Sequence, residues 1–253
     1  MVPPVNVLAV ATAVPPHKLE QTAVTAAARH AYARTFARYP KLADVFVNVG
    51  IDRRYSVRPL EWLSEPHNLA ERIRRVVHAR LPDRPGIADV ISSALFGDGA
   101  AAAVLRAGPP TGELSVGAAA EHTWPRTLDI MGWMIDPVGF RVMLSRSLPR
   151  FVEQKMAAPV RRFIKSAQLQ APRLICHPGG AKVLDAIEVA LDLQKGTLRD
   201  ERDVLRNYGN MSAPTVLFVL ERVLQRSLRG PAMLSTLGPG FTANLLALEA
   251  MYG

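Results

Sequence analysis

The start of the chain shows two hydrophobic patterns, one typical of a strand and one typical of a helix. Val5 to Val14 is an almost continuous apolar run that stops at two prolines, which predicts a buried central strand. Gln21 to Arg38 carries apolar residues at helical spacing with arginines between them, which predicts one amphipathic helix. The apolar pattern continues from Leu42 to Val47 and ends at a turn around Gly50.

A second helix is expected further along the chain, before a stiff turn. Asn68 is placed to cap this helix, with Glu71 three residues later in the capping-box position. The helix should stop at Pro82, because Pro82 to Gly86 combines two prolines with a glycine. This segment therefore predicts an exposed turn between two structured parts of the chain.

The pattern after this turn changes from helix to strand. We predict a short helix from Ile87 to Phe96 and a strand from Ala100 to Leu105. A linker from Gly108 to Gly112 follows. A second strand is predicted from Glu113 to His122, and a bent strand or hairpin from Trp133 to Leu144. The linker is the clearest in the chain, and we place the boundary between two halves there.

The remainder of the chain alternates helices and strands. Pro149 to Gln168 predicts a helix with a kink at Pro159, and Leu174 to Cys176 predicts a buried strand that ends at His177. Two helices should follow, the second of them charged and ending at Gly209.

A capped helix and two strands are predicted to close the chain. Ser212 can cap a helix whose first turn tolerates Pro214. Ala232 to Leu237 and Phe241 to Met251 then read as two strands around a Gly-Pro-Gly turn. The alternation of strands and helices predicts an α/β fold.

Composition and cysteine content limit the class of protein. The chain has 253 residues of which 49% are hydrophobic, which suits one large domain or two small ones. A single cysteine excludes an internal disulfide and a multi-cysteine metal site, and it fits a reducing, cytoplasmic location. The first 14 residues lack the basic region of a signal peptide, and the apolar runs are too short to cross a membrane.

The charge balance is strongly basic, at +9. The basic residues are mostly arginines scattered along predicted helices, and no basic block with interleaved aromatic residues occurs. This pattern favours a solvated basic surface with one local phosphate-binding patch over a nucleic-acid partner.

His177 is the first candidate for chemistry. Its position after a buried strand and before Pro178, Gly179 and Gly180 would bring its side chain to the rim of a sheet. A histidine in this position is more often a structural residue whose hydrogen bonds are satisfied, so the residue alone leaves both interpretations open.

Six motifs, in order along nearly the whole chain, resemble the type III polyketide synthases, the chalcone and stilbene synthase family of the thiolase superfamily. They are Val10 to Pro16 with Gln21, Val49 to Tyr55, Ala94 to Ala102, His177-Pro178-Gly179-Gly180, Tyr208-Gly209-Asn210-Met211-Ser212, and Gly238-Pro239-Gly240. The resemblance implies a thiolase-like α/β fold with αβαβα layers built from two similar halves.

The resemblance also implies that part of the first half is missing. The family carries its nucleophilic cysteine in a Gly-Cys-Ala-Gly-Gly type segment, and this chain contains no such motif between Arg54 and Phe96. We therefore expect a truncated half at residues 1 to 107 and a complete half at residues 113 to 253, with Pro82 to Gly86 as the junction across the deletion.

The family's functional residues map onto several positions of this sequence. His177 and Asn210 would be catalytic, since an imidazole and a carboxamide together form an oxyanion hole for a thioester. The substrate pocket would include Phe96, as a gating ring, together with Gly238, Pro239 and Gly240. The family's second gating ring would fall near Val142, where no aromatic residue is in register.

Arg53 and Arg54 would hold the phosphates of coenzyme A, for which a planar, permanently charged guanidinium is suited. The alternative is an exposed arginine pair beside Asp52. The only cysteine, Cys176, neighbours His177 on a strand, so the two side chains should point to opposite faces. We interpret Cys176 as a buried apolar residue and not as a replacement nucleophile.

The resemblance implies coenzyme A thioesters as substrates, namely acyl-coenzyme A and malonyl-coenzyme A, with no bound cofactor and no metal. Three hypotheses follow: an acyltransferase impaired by the absent cysteine, a malonyl-thioester decarboxylase that uses His177 and Asn210, or a non-catalytic partner of a complete homologue. A homodimer, or pairing with a homologue, is expected because a truncated first half should expose apolar faces of its strands.

Overall fold

One six-stranded mixed sheet forms the centre of the fold. The computed structural model describes residues 4–65, 86–109, 114–136 and 139–250. The strand order is β4-β1-β5-β10-β9-β8, in which β8 and β9 are parallel and the other neighbours are antiparallel. The strands are β1 (Val5–Ala13), β4 (Ala100–Ala107), β5 (Leu114–Thr123), β8 (Arg173–Cys176), β9 (Pro231–Gly238) and β10 (Thr242–Ala250).

Two small ribbons and ten helices of the described residues surround this sheet. The ribbons pair β2 (His17–Glu20) with β3 (Arg53–Ser56), and β6 (Met131–Asp136) with β7 (Gly139–Leu144). The helices are α1 (Gln21–Ala31), α2 (Ala33–Arg38), α3 (Val45–Asn48), α4 (Leu60–Leu63), α5 (Ile87–Leu95), α6 (Leu148–Lys155), α7 (Ala157–Ser166), α8 (Ala181–Ala190), α9 (Arg199–Tyr208) and α10 (Pro214–Gln225), with a 3₁₀ turn at Pro40–Leu42.

The two faces of the sheet are covered by different helices. Helices α6, α7 and α8 pack on one face, over Met233, Leu245 and Ala247. Helix α10 packs on the other face, over Ile175 and Leu248. Because apolar side chains alternate between the faces of each strand, β10 contributes to both cores. The α/β class predicted from the sequence is therefore confirmed.

Strands from both predicted halves share the one large sheet. β1 pairs with β4 along its length and also with the start of β5, where Val5 lies opposite Val116. The predicted αβαβα arrangement needs two such sheets, whereas the described residues build one. The pairing of β1 with β5 joins strands of both predicted halves in this single sheet.

A separate apolar cluster forms beside the sheet from the N-terminal helices. Tyr32 and Phe46 are almost completely buried in it, with Val90 and Ala94 of α5. Gln21 fixes this cluster, since its side-chain amide donates to the carbonyl of Phe46 at 2.8 Å. The N-terminal helices are therefore anchored to the segment that leads into Phe96.

Several predicted boundaries differ from the structure. The helix predicted from Gln21 to Arg38 is interrupted at Tyr32, whose ring is buried and whose backbone leaves the helical conformation. The break predicted at Pro159 occurs at Met156 instead, so the proline stands in the first turn of α7, where its missing N–H is harmless. The hairpin predicted over Trp133 to Leu144 is confirmed by β6 and β7.

Three predictions lie wholly or partly outside the described residues. These are the helix capped by Asn68, the turn from Pro82 to Pro85, and residues 110–112 of the predicted linker.

Gly97 lies very close to two other segments of the chain. A Cβ atom added there would lie 2.8 Å from the carbonyl oxygen of Tyr208 and 3.1 Å from Cβ of Arg54. We expect Gly97→Ala to lower the free energy of unfolding by at least about 1 kcal/mol, because backbone would have to move. Urea denaturation checks this. Gly238→Ala is the matched control, since its added Cβ meets nothing closer than Thr242 at 3.9 Å; equal stability of both variants would contradict the prediction.

Candidate functional site

His177 lies where the parallel pair β8 and β9 ends. β8 finishes at Cys176, and the backbone N–H of His177 donates to the carbonyl of Ser235 on β9 at 2.8 Å. The Gly238-Pro239-Gly240 turn follows β9 at the same end of the sheet. Loops at the carboxyl ends of parallel strands are the usual place for ligand sites in α/β proteins.

Asn210 is held in a defined orientation just after α9. Its side-chain Oδ1 accepts the backbone N–H of Ser212 at 2.8 Å, and its Nδ2 donates to the carbonyl of Gly179 at 3.3 Å. Because a backbone N–H can only donate, the first bond fixes which end of the amide carries the protons. The carboxamide N–H groups of Asn210 therefore face the turn that carries His177.

The imidazole of His177 and the carboxamide of Asn210 meet at Gly179. A Cβ atom added at Gly179 would lie 3.8 Å from Cδ2 of the His177 ring, so the ring lies over this glycine. The carbonyl oxygen of the same glycine accepts the hydrogen bond from Nδ2 of Asn210. The structure thus brings together the two residues that the sequence analysis named as oxyanion-hole donors.

Burial lowers the pKa of His177 to about 4. A ring with this pKa is neutral at pH 7, with one nitrogen that donates and one that accepts. The backbone of Ser212, two residues after Asn210, has a φ of 64°, which lies in the left-handed region. The Asn210 Oδ1 bond holds Ser212 in this unfavourable conformation.

A short backbone ladder attaches Asn210 to Phe96. Phe96 and Asn210 form a parallel β-bridge, in which Asn210 N–H donates to Leu95 and Gly97 N–H donates to Asn210, both at 3.0 Å. Gly209 enters the ladder with φ of 72°, and a Cβ atom there would lie 3.1 Å from the carbonyl oxygen of Leu95. The first half of the chain therefore positions the Asn210 segment of the second half.

Phe96 lines a cavity of about 730 Å³, which we call the α1 cavity. Its walls come from α1, β3, α4, α5 and residues 96–100, with Trp133, Val142 and residues 211–214. Among the described lining residues there is neither His177 nor Asn210, and the Gly238-Pro239-Gly240 turn is absent as well. The predicted substrate-pocket residues thus fall into two places, with Phe96 in the wall of this cavity and the Gly238-Pro239-Gly240 turn outside it.

The two adjacent arginines have different environments. Arg54 is buried, and its guanidinium donates to the carbonyls of Ser93, Ala94 and Phe96 at 2.7 to 2.9 Å and to Gln21. Burial lowers the pKa of Arg54 to about 10, so the group stays charged at pH 7. Arg53 is partly exposed on the other face of β3.

The sequence analysis assigned both arginines to the phosphates of coenzyme A. In the structure the terminal nitrogens of Arg54 already donate to protein oxygens, so this residue supports the segment before Gly97 and is not available to a phosphate. A role in phosphate binding stays a prediction for Arg53 alone.

Cys176 is completely buried, and its environment disfavours the thiolate. Burial raises the pKa of its thiol to about 12, and the nearby Glu201 carboxylate adds to this shift. Glu201 is itself fully buried, accepts the backbone N–H of Cys176 at 3.2 Å and pairs with Arg173 at 3.3 Å. Burial also raises the pKa of Glu201. The structure therefore agrees with the interpretation of Cys176 as an unreactive core residue.

Two residues of the site region were not predicted from the sequence. Thr215 is one of them: its hydroxyl accepts the backbone N–H of Met211 at 2.9 Å and donates to the carbonyl of Ser212, so it holds the segment before α10. The cap predicted at Ser212 is wrong, because Ala213 is the N-cap residue and no side chain caps the helix. Trp133 lies directly opposite Val142 in the ribbon and lines the α1 cavity with it. Cross-strand pairing within the predicted hairpin was the signal that could have indicated Trp133.

Within the described ranges, no group of three or more His, Cys, Asp or Glu side chains is arranged to hold a metal ion. The helices of these ranges are all too short or too polar to cross a membrane.

Sequence comparison identifies one matching family model and several curated relatives. The model described as "Chalcone and stilbene synthases, C-terminal domain" matches residues 115–250. The 1,3,6,8-tetrahydroxynaphthalene synthase of Streptomyces peucetius subsp. caesius is 38% identical over 173 residues, which cover 64% of this chain and 46% of that protein. A putative chalcone synthase of Bacillus subtilis is 33% identical over 178 residues, which cover 65% and 49%. The chain spans about half the length of these relatives.

Solved structures show a shared fold at low sequence identity. The polyketide synthase PKS-I of the brown alga Ectocarpus siliculosus superposes with a TM-score of 0.88 at 19% identity, covering 99% of both chains. The 1,3,6,8-tetrahydroxynaphthalene synthase of Streptomyces coelicolor A3(2) gives 0.86 at 17% identity, covering 98% of this chain and 99% of that one.

The buried environment of His177 predicts a specific pH dependence. Its pKa in the folded state, about 4, lies below the ordinary value of 6.5, so the unfolded chain binds the proton more tightly. The contribution of His177 to stability should be full above pH 6.5 and decrease as the pH falls toward 4. A titration of the ring by NMR, assigned with His177→Gln, checks this; a midpoint near 6.5 would contradict it.

The contacts of Arg54 predict a structural role. Arg54→Met should lower the free energy of unfolding by more than about 2 kcal/mol, because an unsatisfied buried acceptor costs about 1–3 kcal/mol. Arg53→Met, on the partly exposed neighbour, is the matched control and should change stability by less than about 1 kcal/mol. Chemical denaturation measures the free energy of unfolding of both variants. An Arg54→Met protein as stable as Arg53→Met would contradict the structural role of Arg54.

Proposed function

The chain belongs to the chalcone and stilbene synthase family of type III polyketide synthases, and from this premise we propose that it decarboxylates malonyl-coenzyme A at His177 and Asn210. The observation that supports this proposal is that both side chains lie against Gly179. The neutral imidazole and the oriented carboxamide supply two donors for one oxygen atom. This is the donor arrangement that an enolate oxygen requires.

The proposed step needs no covalent intermediate. The bond between the malonyl carboxylate and the α-carbon breaks, carbon dioxide leaves, and the electron pair moves into the thioester to form an enolate. His177 and Asn210 stabilise the enolate oxygen, and the α-carbon then takes a proton from water to give acetyl-coenzyme A. The substrate is a coenzyme A thioester, and the protein contributes no bound cofactor to this step.

Condensation with an acyl starter is the part of the family reaction that we propose is lost. It requires a thiolate, and Cys176 is the only cysteine of the chain, buried and with a raised pKa. The absence of a Gly-Cys-Ala-Gly-Gly type segment from the sequence supports the loss of the nucleophile. The proposal therefore separates decarboxylation from acyl transfer.

We expect purified protein to release carbon dioxide from malonyl-coenzyme A, and His177→Ala and Asn210→Ala to lower the rate by about 100-fold to 1000-fold each, since each removes one donor. His30→Ala and Gln170→Ala are the matched controls and should keep the rate, since both residues are exposed and Gln170 precedes the start of β8, at the end away from His177. Carbon dioxide release can be followed alongside acetyl-coenzyme A by mass spectrometry.

Equal rates in all four variants would rule out the proposed donors. Intact-mass spectra of protein treated with acyl-coenzyme A should show no adduct, and an acyl group on Cys176 would contradict the loss of covalent transfer.

A second candidate function is that of a subunit that pairs with another chain. The exposed edge strand β4 favours this function. This strand lies at the edge of the large sheet, and every side chain in it except Ala101 is exposed. Val104 and Leu105 are 55% and 57% exposed, and Arg106 is the only charged residue of the strand. Edge strands are normally protected by charges, prolines or covering elements, and β4 has little of this protection.

We propose that two copies pair through antiparallel β4 strands, which is compatible with twofold symmetry. Val104→Lys should convert the dimer to a monomer in sedimentation velocity, because a charge would be placed at the centre of the pairing edge. Val189→Lys is the matched control, since Val189 is 59% exposed on α8, away from β4. A wild-type monomer that also fails to bind a complete homologue would exclude this surface.

A further inference from the structure

Glu201 is a fully buried carboxylate that contacts the strand leading to His177. It lies in the first turn of α9, and its Oε1 accepts the backbone N–H of Cys176 at 3.2 Å. Its other oxygen, Oε2, lies 3.3 Å from Nη2 of Arg173, at the start of the same strand. A buried charge is costly unless it is paired and hydrogen-bonded, and β8 supplies both partners of Glu201.

The position of β8 in the sheet explains the need for this acceptor. β8 is an edge strand of the large sheet, with β9 on one side only. The N–H of His177 points toward β9, where it donates to Ser235. Because the N–H groups of successive residues in a strand point to opposite sides, the N–H of Cys176 points to the open edge. Glu201 therefore supplies the acceptor that a further strand would provide.

Glu201 also belongs to the helix that leads to the second donor. Helix α9 ends two residues before Asn210, whose Nδ2 donates to the carbonyl of Gly179 at 3.3 Å. The α9 segment thus contacts the chain on both sides of His177, at Cys176 before it and at Gly179 after it. Because α9 is one continuous helix, these two contacts together hold the imidazole and the carboxamide at one spacing.

We propose that Glu201 is a positioning residue for decarboxylation, which holds the end of β8 so that His177 and Asn210 reach the same enolate oxygen. This inference rests on the proposed function. Glu201 acts through the backbone N–H of Cys176 and takes no part in the chemical step. Small displacements of donors from the oxygen that they stabilise are costly in rate, so a contact of this kind affects turnover.

The first test is malonyl-coenzyme A turnover by two variants of Glu201. Glu201→Leu leaves the N–H of Cys176 without its acceptor, so kcat should fall by at least about tenfold while KM changes by less than about threefold, because displaced donors weaken binding of the transition state most. Glu201→Gln keeps an amide oxygen for this N–H and should retain kcat within about threefold.

Glu188→Leu is the matched control. Glu188 is also a buried glutamate, but it accepts the backbone N–H groups of Gly196 and Leu198, in the loop before α9. The variant should therefore be less stable than the wild type in urea denaturation and keep kcat within about threefold.

A second readout does not depend on turnover. Glu201→Leu should shift the NMR signals of the His177 ring and of the Asn210 side-chain amide, whereas Glu201→Gln and Glu188→Leu should leave them close to their wild-type positions. Urea denaturation establishes which variants are folded. If Glu201→Leu is not, Glu201→Met replaces it, because its thioether is only a weak acceptor and Arg173 keeps Asp200 as a partner at 3.2 Å.

Wild-type kcat and unshifted His177 signals in the folded leucine or methionine variant would overturn the inference. An equal loss of kcat in Glu201→Gln or in Glu188→Leu would also overturn it. Absence of carbon dioxide release by the wild-type protein would instead contradict the proposed decarboxylation, and the NMR comparison would still decide whether Glu201 positions the two donors. The two proposals therefore fail separately.

Discussion

The backbone bridge between Phe96 and Asn210 is the constraint on which the rest of the site depends. Two hydrogen bonds of 3.0 Å connect the end of α5 to the segment after α9, and Asn210 then reaches Gly179 through its side chain. Three distant parts of the sequence are thereby held at one point. Glycine at positions 97 and 209 permits this bridge, because Gly209 has a positive φ and Gly97 lies close to the backbone of Tyr208. Phe96 of this bridge lines the α1 cavity, whereas Asn210 does not.

Burial changes the pKa values of two neighbouring residues, Cys176 and His177, in opposite directions. Cys176 and His177 differ by one position, yet burial raises the pKa of the thiol to about 12 and lowers that of the imidazole to about 4. Both shifts favour the neutral form, because burial disfavours charge. A neutral thiol is a poor nucleophile, whereas a neutral imidazole still donates a hydrogen bond. The environment thus supports enolate stabilisation without covalent catalysis.

Features that depend on the local sequence pattern could be predicted from the sequence. Features that depend on packing between distant segments could not. The strand ending at His177, the hairpin at Trp133 and the helix after Pro214 follow from apolar periodicity and turn residues. The family resemblance named His177 and Asn210, which the structure brings together. Arg54 was assigned to a ligand because its sequence gives no sign that four acceptors surround it. The shared sheet and the α1 cavity arise only when distant segments pack.

Malonyl-coenzyme A turnover by Cys176→Ala decides whether decarboxylation proceeds without a thiolate. If His177 and Asn210 stabilise the enolate without a thiolate, this variant should retain the wild-type rate within about threefold, because its buried thiol takes no part in the step. Deuterium from D₂O should appear in the methyl group of the acetyl-coenzyme A product. A rate as low as that of His177→Ala, from Cys176→Ala protein that is still folded, would contradict the account and make Cys176 the nucleophile.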